Sequence, residues 1–259
     1  MLIEPRQAAP GAVLRWSRQA LGLIARGFGF WLGLSLLFCL WMFLGQRLPL
    51  LDGILALTAF FASILVAARL DRSGRASLSD VLADLRTHGR LVLGFAVAIA
   101  CAGTLIWMLV LAKPGVPWWN ALYTERNVVR ELSTDWFSAT RQIFVYSAYA
   151  LGLSYFGLNI PALSSFFQFP VSALYGVSWR EAYRIGALAQ IRNLPAMLGV
   201  GLLWVVLPVL CVFVLPVAVP MLYCFFAALC YVSFREIFLG VGENLAVADA
   251  PARALPATR

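Results

Sequence analysis

The residues of this chain that are best able to make specific chemical contacts are arginines. Of its 20 cationic side chains, only Lys113 is a lysine and the others are arginines. A guanidinium binds phosphate or carboxylate through a planar fork of N–H donors, and near a membrane each cation adds about 1 kcal/mol of attraction to anionic lipid. We expect one group of arginines to contact lipid headgroups or an acidic protein partner, while topology anchoring alone is the other interpretation. The arginines of this group lie just before long apolar runs: Arg15, Arg18, Arg26, Arg86, Arg90, Arg180, Arg184 and Arg192.

Groups that carry acid–base, nucleophilic or metal chemistry are scarce. The one histidine, His88, follows Asp84 by four residues. We expect it to be solvated or to face headgroups, and a local pair with Asp84 on one helix face is the other interpretation. The five cysteines lie within apolar runs without a CxxC spacing, which is typical of packing residues. No Asp, Glu, His or Lys lies deep within an apolar run, where membrane enzymes and proton-driven pumps carry them. We therefore expect no catalytic residue, no cofactor and no metal site.

Polar side chains within the apolar runs concentrate in the fourth run, where Asn159 and Gln168 are the amides. In lipid such groups turn towards other helices and form hydrogen bonds with them. A polar lining for a substrate, or a contact with a partner subunit, is the other interpretation, and it makes these two residues a possible intramembrane polar site.

The composition indicates an integral membrane protein. The chain of 259 residues is 62% hydrophobic and 12% charged, with a mean hydropathy of +0.84. A soluble domain is about 25% charged, so this chain has too few charges to cover its own surface. The charges that it has lie between apolar runs, which fits the positive-inside rule better than binding to nucleic acid.

Six apolar runs are each long enough to cross a bilayer as a helix, because about 20 residues span a hydrocarbon core. They are continuous rather than alternating, which favours helices over strands. The fold class is therefore an all-α, polytopic membrane bundle of six transmembrane helices in one domain, 1–239, followed by a disordered tail, 240–259. The fourth run is too long for a simple span and is expected to be kinked at proline, with a broken or re-entrant segment as the alternative. The spans are about 28–44, 50–68, 91–112, 142–177, 194–214 and 217–238.

The distribution of arginine predicts the orientation. With the N-terminus inside, the inner segments carry three times as many cations as the outer ones, so both termini are expected in the cytoplasm of a bacterial inner membrane. The long outer link, 113–141, contains apolar residues at helical spacing and is expected to form an amphipathic helix on the outer face. The basic stretch 1–26 has no small-residue cleavage site, so we expect it to be retained.

Three inner segments have the same design, which is a basic amphipathic stretch that leads into a span. They are 11–26, 77–90 and 178–192, and we expect each to be an interfacial helix on the cytoplasmic side. Ser77 and Asp80 resemble a capping box at the start of the second stretch. The chain is thus an interfacial helix followed by two spans, three times over.

The last span closes on the sequence Ser233, Phe234, Arg235, Glu236, Ile237, Phe238, and an Arg-Asn pair precedes the fifth span. These residues resemble the BPSS-type family of bacterial inner-membrane proteins, whose last span ends on Ser-Tyr-Arg-Asp-Ile-Phe. Phe234 and Glu236 depart from that motif conservatively. The resemblance covers most of the chain and implies a six-span inner-membrane protein, but it implies no activity.

The sequence favours a non-enzymatic accessory, assembly or envelope-maintenance protein that acts through contacts with anionic lipid and a protein subunit. The alternative is a transporter or channel for a neutral or amphipathic small molecule, which would use the polar fourth run. A membrane enzyme would have to rely on interfacial residues such as Glu181, Glu236 or His88.

Overall fold

The computed structural model describes residues 4–44, 49–111, 159, 165–214 and 218–240. Within these ranges all regular elements are helical and none is a strand, which confirms the all-α class. A π-helical segment, Arg235–Leu239, directly continues the last α-helix. The helices are α1 (Ala12–Arg26), α2 (Phe28–Leu44), α3 (Pro49–Ser73), α4 (Leu78–Leu111), α5 (Gln168–Tyr175), α6 (Trp179–Arg192), α7 (Leu194–Val214) and α8 (Val219–Phe234).

Helix ends agree with the predicted runs where a glycine or a polar residue bounds the run. α2 and α7 coincide with the first and fifth predicted spans. α4 instead joins the predicted lead-in 77–90 and the third span in one helix of 34 residues, because Gly89 and His88 do not interrupt its hydrogen-bond ladder. Ser77 caps this helix, since its Oγ accepts from the Asp80 N–H at 3.3 Å and donates to the Asp80 carboxylate at 2.6 Å.

The structure describes only the end of the fourth run. Ser165 to Phe167 are not helical there, and the short helix α5 begins at Gln168. Gly176 ends α5 with a positive φ of 68°, a conformation that favours glycine. This part of the run is therefore broken. The rest of the run apart from residue 159, the predicted outer helix in 113–141 and the tail 241–259 lie outside the described residues.

The core is built around α8, which packs against α1, α2, α3 and α7. Ala227 and Ala228 on α8 are fully buried, and small side chains at such positions let neighbouring helices approach closely. Rings then fill the space between helices: Trp204 of α7 stacks on Phe226 of α8 with ring centroids 4.2 Å apart. Because its neighbours surround it, α8 is an apolar helix that faces protein on all sides.

The apolar face of α1 also packs on protein. Trp16, Ala20 and Leu23 are buried against the core, and α8 is the main neighbour of this helix. The predicted stripe therefore exists, but it is covered by protein rather than by lipid, because α8 presents a complementary apolar surface. The second amphipathic stretch, 77–90, has apolar residues at helical spacing that include Val81 and Leu82. Val81 is buried, whereas Leu82 is 48% exposed.

α7 differs from α8 in what covers it. Two helical segments of the described chain, Leu194–Cys211 and Val219–Leu239, are long and apolar enough to cross a membrane. The second is mostly buried, but only 22% of the first is. The outer face of α7 is formed by large apolar side chains that are 39–79% exposed: Leu194, Leu198, Leu202, Val205, Val206, Val209, Leu210 and Val214.

Polar contacts place one end of several helices together. Arg69 near the end of α3 binds Asp84 near the start of α4, with Nε–Oδ2 at 2.8 Å and Nη2–Oδ1 at 2.5 Å. Asp71, also near the end of α3, binds Arg235 at the end of α8. The ends of α3 and α8 and the start of α4 therefore share one end of the bundle, which we call the arginine end. Tertiary packing brings the Arg69 guanidinium to Asp84, so this carboxylate is engaged between two helices rather than in the local pair with His88 that was the alternative interpretation.

Candidate functional site

The arginine end is organised by a buried ion pair between Arg235 and Asp71. One guanidinium nitrogen, Nη1, donates to both carboxylate oxygens of Asp71 at 2.6 Å. The Tyr231 hydroxyl donates to the same carboxylate at 2.9 Å, and Arg235 Nη2 donates to Gln19 Oε1 of α1 at 3.0 Å. The side chains of Asp71 and Arg235 are only 6% and 18% exposed. The network thus joins α1, α3 and α8 through charged hydrogen bonds that are shielded from water.

The motif Ser233–Phe238 at the end of α8 supplies Arg235 to this network and makes further contacts of its own. Its first residue, Ser233, donates to the Cys230 carbonyl at 3.0 Å. Glu236 accepts from Arg15 of α1 at 2.6 Å, and the Ile237 carbonyl accepts from the backbone N–H of Arg6 at 2.8 Å. The motif residues therefore connect the end of α8 to the N-terminal part of the chain, and we call this set of contacts the clasp.

The aromatic residues of the motif complete the clasp by packing. Phe234 and Phe238 stack with ring centroids 5.1 Å apart. Phe238 also meets Phe167 edge to face at 5.7 Å, and Phe234 meets Tyr175 at 5.9 Å. These contacts hold the end of α8 against α5 and the turn before it, so the motif serves both the polar network and the core.

The segment before α1 is fastened to the junction of α6 and α7. Asn193, between those helices, accepts from the Ala8 N–H at 2.6 Å and donates to the Arg6 carbonyl at 3.0 Å. Arg192 donates to the Pro5 carbonyl at 3.1 Å. The Arg-Asn pair is visible in the sequence but this role is not, because no local pattern links residues 185 or more positions apart.

The structure separates the eight predicted contact arginines into different roles. Arg15 pairs with Glu236, Arg192 holds the N-terminal segment, and Arg184 pairs with Glu181 at 2.9 Å on the surface of α6. Two of the others, Arg18 and Arg26, line a cavity on the flank of α1. The remaining three are exposed on α4 and α6: Arg86, Arg90 and Arg180.

That cavity has a volume of about 240 Å³ and lies between α1, α3 and α8. Its wall contains three guanidinium groups, one amide, one carboxylate and a glycine, and the carboxylate already belongs to the ion pair described above. Positive charge therefore exceeds negative charge around it. The polar and small lining residues are Arg18, Arg26, Arg235, Gln19, Asp71 and Gly22.

The two amides of the predicted intramembrane site have protein partners. Gln168 is fully buried; its Oε1 accepts from the Ser165 N–H at 3.2 Å and its Nε2 donates to the Trp179 carbonyl at 3.1 Å. Asn159 accepts a hydrogen bond from Gln190 of α6. Gln168 therefore supplies an acceptor for the backbone at the break before α5 and donates to a carbonyl in the first turn of α6, so it joins these two segments.

The carboxylates whose side chains the structure describes between residues 71 and 236 all pair with arginine. Besides the pairs with Asp71, Asp84, Glu181 and Glu236, Asp80 lies 3.7 Å from Arg69. The hydrogen bond from Ser77, aided by nearby Arg69, lowers the pKa of the Asp80 carboxyl. In the part of the chain that the structure describes, no three His, Cys, Asp or Glu side chains gather in a way that could hold a metal ion.

The arrangement can bind anions and fasten helices together, and it brings cationic groups from distant parts of the chain to one end of the bundle. Comparisons with protein-family models, with curated proteins and with solved structures find no match to this chain, so the resemblance to the BPSS-type family stays a prediction.

Proposed function

We propose that this chain is a six-span protein of a bacterial inner membrane, with both termini in the cytoplasm, that acts without catalysis. It serves as an accessory, assembly or envelope-maintenance protein through contacts with anionic lipid and a protein subunit. The observation that carries this proposal is that one molecule has both the exposed apolar face of α7 and the arginine end.

The membrane part of the proposal is supported by α7. A monomeric soluble protein rarely exposes a large continuous apolar patch, because each such patch costs free energy in water. The outer face of α7 runs from Leu194 to Val214 with exposed Leu and Val side chains, which is the surface that hydrocarbon would cover. The lengths of α2, α3 and α4, at 17, 25 and 34 residues, also suit spanning helices.

The orientation is supported by the arginine end. The end of α3, the start of α4 and the end of α8 meet there, and consecutive spans that alternate in direction would bring these same ends to one membrane face. The exposed guanidinium groups of Arg86, Arg90 and Arg180 lie on α4 and α6. Arginine is retained on the cytoplasmic side of bacterial inner membranes, so this end is assigned to the cytoplasm.

The role through contacts is supported by what the charged groups do. The paired carboxylates contribute to the fold, as the pairs of Asp71 with Arg235 and of Glu236 with Arg15 illustrate. The exposed arginines, in contrast, offer their N–H donors to molecules outside the chain. Such a surface suits anionic headgroups or an acidic partner protein.

Native mass spectrometry of the protein, released gently from its own membranes, tests the proposal. We expect a stoichiometric complex with a protein subunit and retained anionic lipid. The proposal is overturned if the protein leaves the membrane without detergent. It is also overturned if the protein is fully functional alone, with neither a bound protein subunit nor bound anionic lipid. A variant with Arg86, Arg90 and Arg180 changed to Gln serves as the matched comparison, because it removes exposed charge without touching the buried pairs.

A further inference from the structure

The cavity beside α1 has the composition of an anion site. Arg18, Gly22 and Arg26 follow one another at intervals of four residues, so they lie along one flank of α1 and form one wall. Arg235, at the end of α8, forms the opposite wall, where Asp71 and Gln19 hold its guanidinium in place. A site with one fixed cation and two adjustable ones can close around a small anion.

The local charges leave this site positive. Both oxygens of Asp71 accept hydrogen bonds from Arg235, and one also accepts from Tyr231, so this carboxylate is engaged within the network. Within the described part of the chain, no carboxylate pairs with Arg18 or Arg26. Two guanidinium groups therefore face the cavity without an internal counter-ion.

The size of the cavity limits what it can hold. About 240 Å³ is below the range of roughly 300–1,000 Å³ that encloses a drug-sized ligand, but it exceeds the volume of several water molecules at about 30 Å³ each. A phosphate group with its attached hydroxyl-bearing carbons fits this space. The space beside Gly22 is open, because nothing lies within 4 Å of the position that a Cβ would occupy.

The surroundings of Arg18 favour a lipid as the source of the phosphate. Leu14 and Leu21, four residues before and three after Arg18, are 59% and 56% exposed. They lie on the same side of α1 as Arg18 and would enter the acyl region of a bilayer, which places Arg18 at the depth of the headgroups. The cavity then opens where lipid phosphates are concentrated.

We propose that the cavity between α1, α3 and α8 binds the phosphate group of one anionic glycerophospholipid, through Arg18, Arg26 and the prepositioned Arg235. Gln19 and Gly22 shape the site. This inference rests on the proposed membrane location, and it adds a defined ligand and stoichiometry to it.

The test measures lipid binding to the purified full-length protein in detergent by native mass spectrometry. The probes are phosphatidylglycerol, the carboxylate-headed anionic lipid dioleoylglycerol succinate, and inorganic phosphate alone. We expect one phosphatidylglycerol to bind at least about tenfold more tightly than the succinate lipid. The oxygens of a tetrahedral phosphate can meet guanidinium groups on both walls of the cavity at once, whereas a planar carboxylate matches the fork of one guanidinium. Inorganic phosphate should compete only weakly, since it lacks the acyl chains that Leu14 and Leu21 would contact.

Two variants isolate the cavity. The double change Arg18→Gln and Arg26→Gln should reduce phosphatidylglycerol binding by roughly tenfold or more. The charge-matched change Arg75→Gln and Arg184→Gln, outside the cavity, should reduce it by less than about threefold and retain the one bound lipid. Gly22→Leu fills the cavity without altering charge and should abolish the specific lipid, whereas Gly22→Ala should keep it.

Several outcomes overturn the proposal. Equal losses in the two arginine pairs would mean general attraction to anionic headgroups, and equal binding of the succinate lipid would mean that charge rather than phosphate is recognised. Tight binding of inorganic phosphate with no retained lipid would make the free ion the ligand. In each case the protein could still keep its subunit and membrane location, so failure here is distinct from failure of the proposed function.

Discussion

The Asp71 carboxylate accepts two hydrogen bonds of 2.6 Å from the same guanidinium nitrogen of Arg235, although the two residues are 164 positions apart. This pair fastens the end of α3 to the end of α8 and also forms part of the cavity wall. Its two side chains are only 18% and 6% exposed, so each charge is stabilised mainly by the other charge and little by solvent.

Asp71→Asn should therefore lower the free energy of unfolding by about 3 kcal/mol, because it leaves a buried guanidinium without its counter-ion. Thermal unfolding in detergent, followed by tryptophan fluorescence, measures this. The control is Glu181→Gln on α6, whose pair with Arg184 is exposed and should contribute less than about 1 kcal/mol. Similar losses in both variants would contradict the role assigned to the buried pair.

Asn193→Ala should release the segment before α1, because the Ala8 N–H and the Arg6 carbonyl both lose their partner. Hydrogen exchange of the Ala8 amide should accelerate by roughly tenfold, which corresponds to the loss of about one hydrogen bond. Asn193→Asp is the matched control: it keeps an acceptor for Ala8 but no donor for Arg6, so its effect should be intermediate. Unchanged exchange in Asn193→Ala would show that other contacts hold the segment.

Gln168→Leu should destabilise the protein by about 1–3 kcal/mol, because the buried Ser165 N–H would lose its acceptor and the part-buried Trp179 carbonyl would lose a donor. Thr87→Val is the control, since its hydroxyl bonds an exposed carbonyl of α4 and its loss should change stability by less than about 0.5 kcal/mol. The transporter alternative makes the opposite prediction, which is normal stability of the Gln168→Leu protein and loss of solute flux in proteoliposomes.

The cap of α4 should give a pH dependence. The pKa of Asp80 is lowered in the folded protein, chiefly by the hydrogen bond from Ser77, so its carboxylate stabilises the fold above the unfolded-state pKa. This contribution is lost as the pH falls through the folded-state pKa. The stability difference between the wild type and Asp80→Asn should thus shrink from neutral to acidic pH, and NMR titration of Ser77→Ala should show a higher pKa for Asp80. A pH-independent difference would contradict this.

Cysteine labelling tests the orientation. After the five native cysteines are replaced, Arg75→Cys should react with a membrane-impermeant maleimide in inverted vesicles but not in intact cells, because Arg75 is exposed beside the arginine end. The matched position is Val214→Cys at the C-terminal end of α7, which the proposal places on the outer face of the membrane. This cysteine should react with the same maleimide in intact cells. The reverse pattern would invert the proposed topology, and labelling of both from one side would contradict the spanning of α7.

Local structure was the part of this protein that the sequence determined by itself. The bounds of α2 and α7 and the cap at Ser77 follow from continuous apolar runs and from side chains that bond their own backbone neighbours. These features depend on residues a few positions apart, so a linear pattern contains the information. The amphipathic stripe of α1 was predictable for the same reason, although its covering was not.

Only the tertiary structure decided which surfaces and charges meet. α7 and α8 have similarly apolar sequences, yet one exposes Leu198 and Leu202 while the other is surrounded by protein, because lipid-facing and protein-facing positions both require apolar side chains. The pairs of Arg15 with Glu236 and of Asp71 with Arg235 span 221 and 164 positions. Helix packing brings such groups together, and no periodicity along the chain records it, so the arginine pattern alone identified the charges but not the cavity that two of them line.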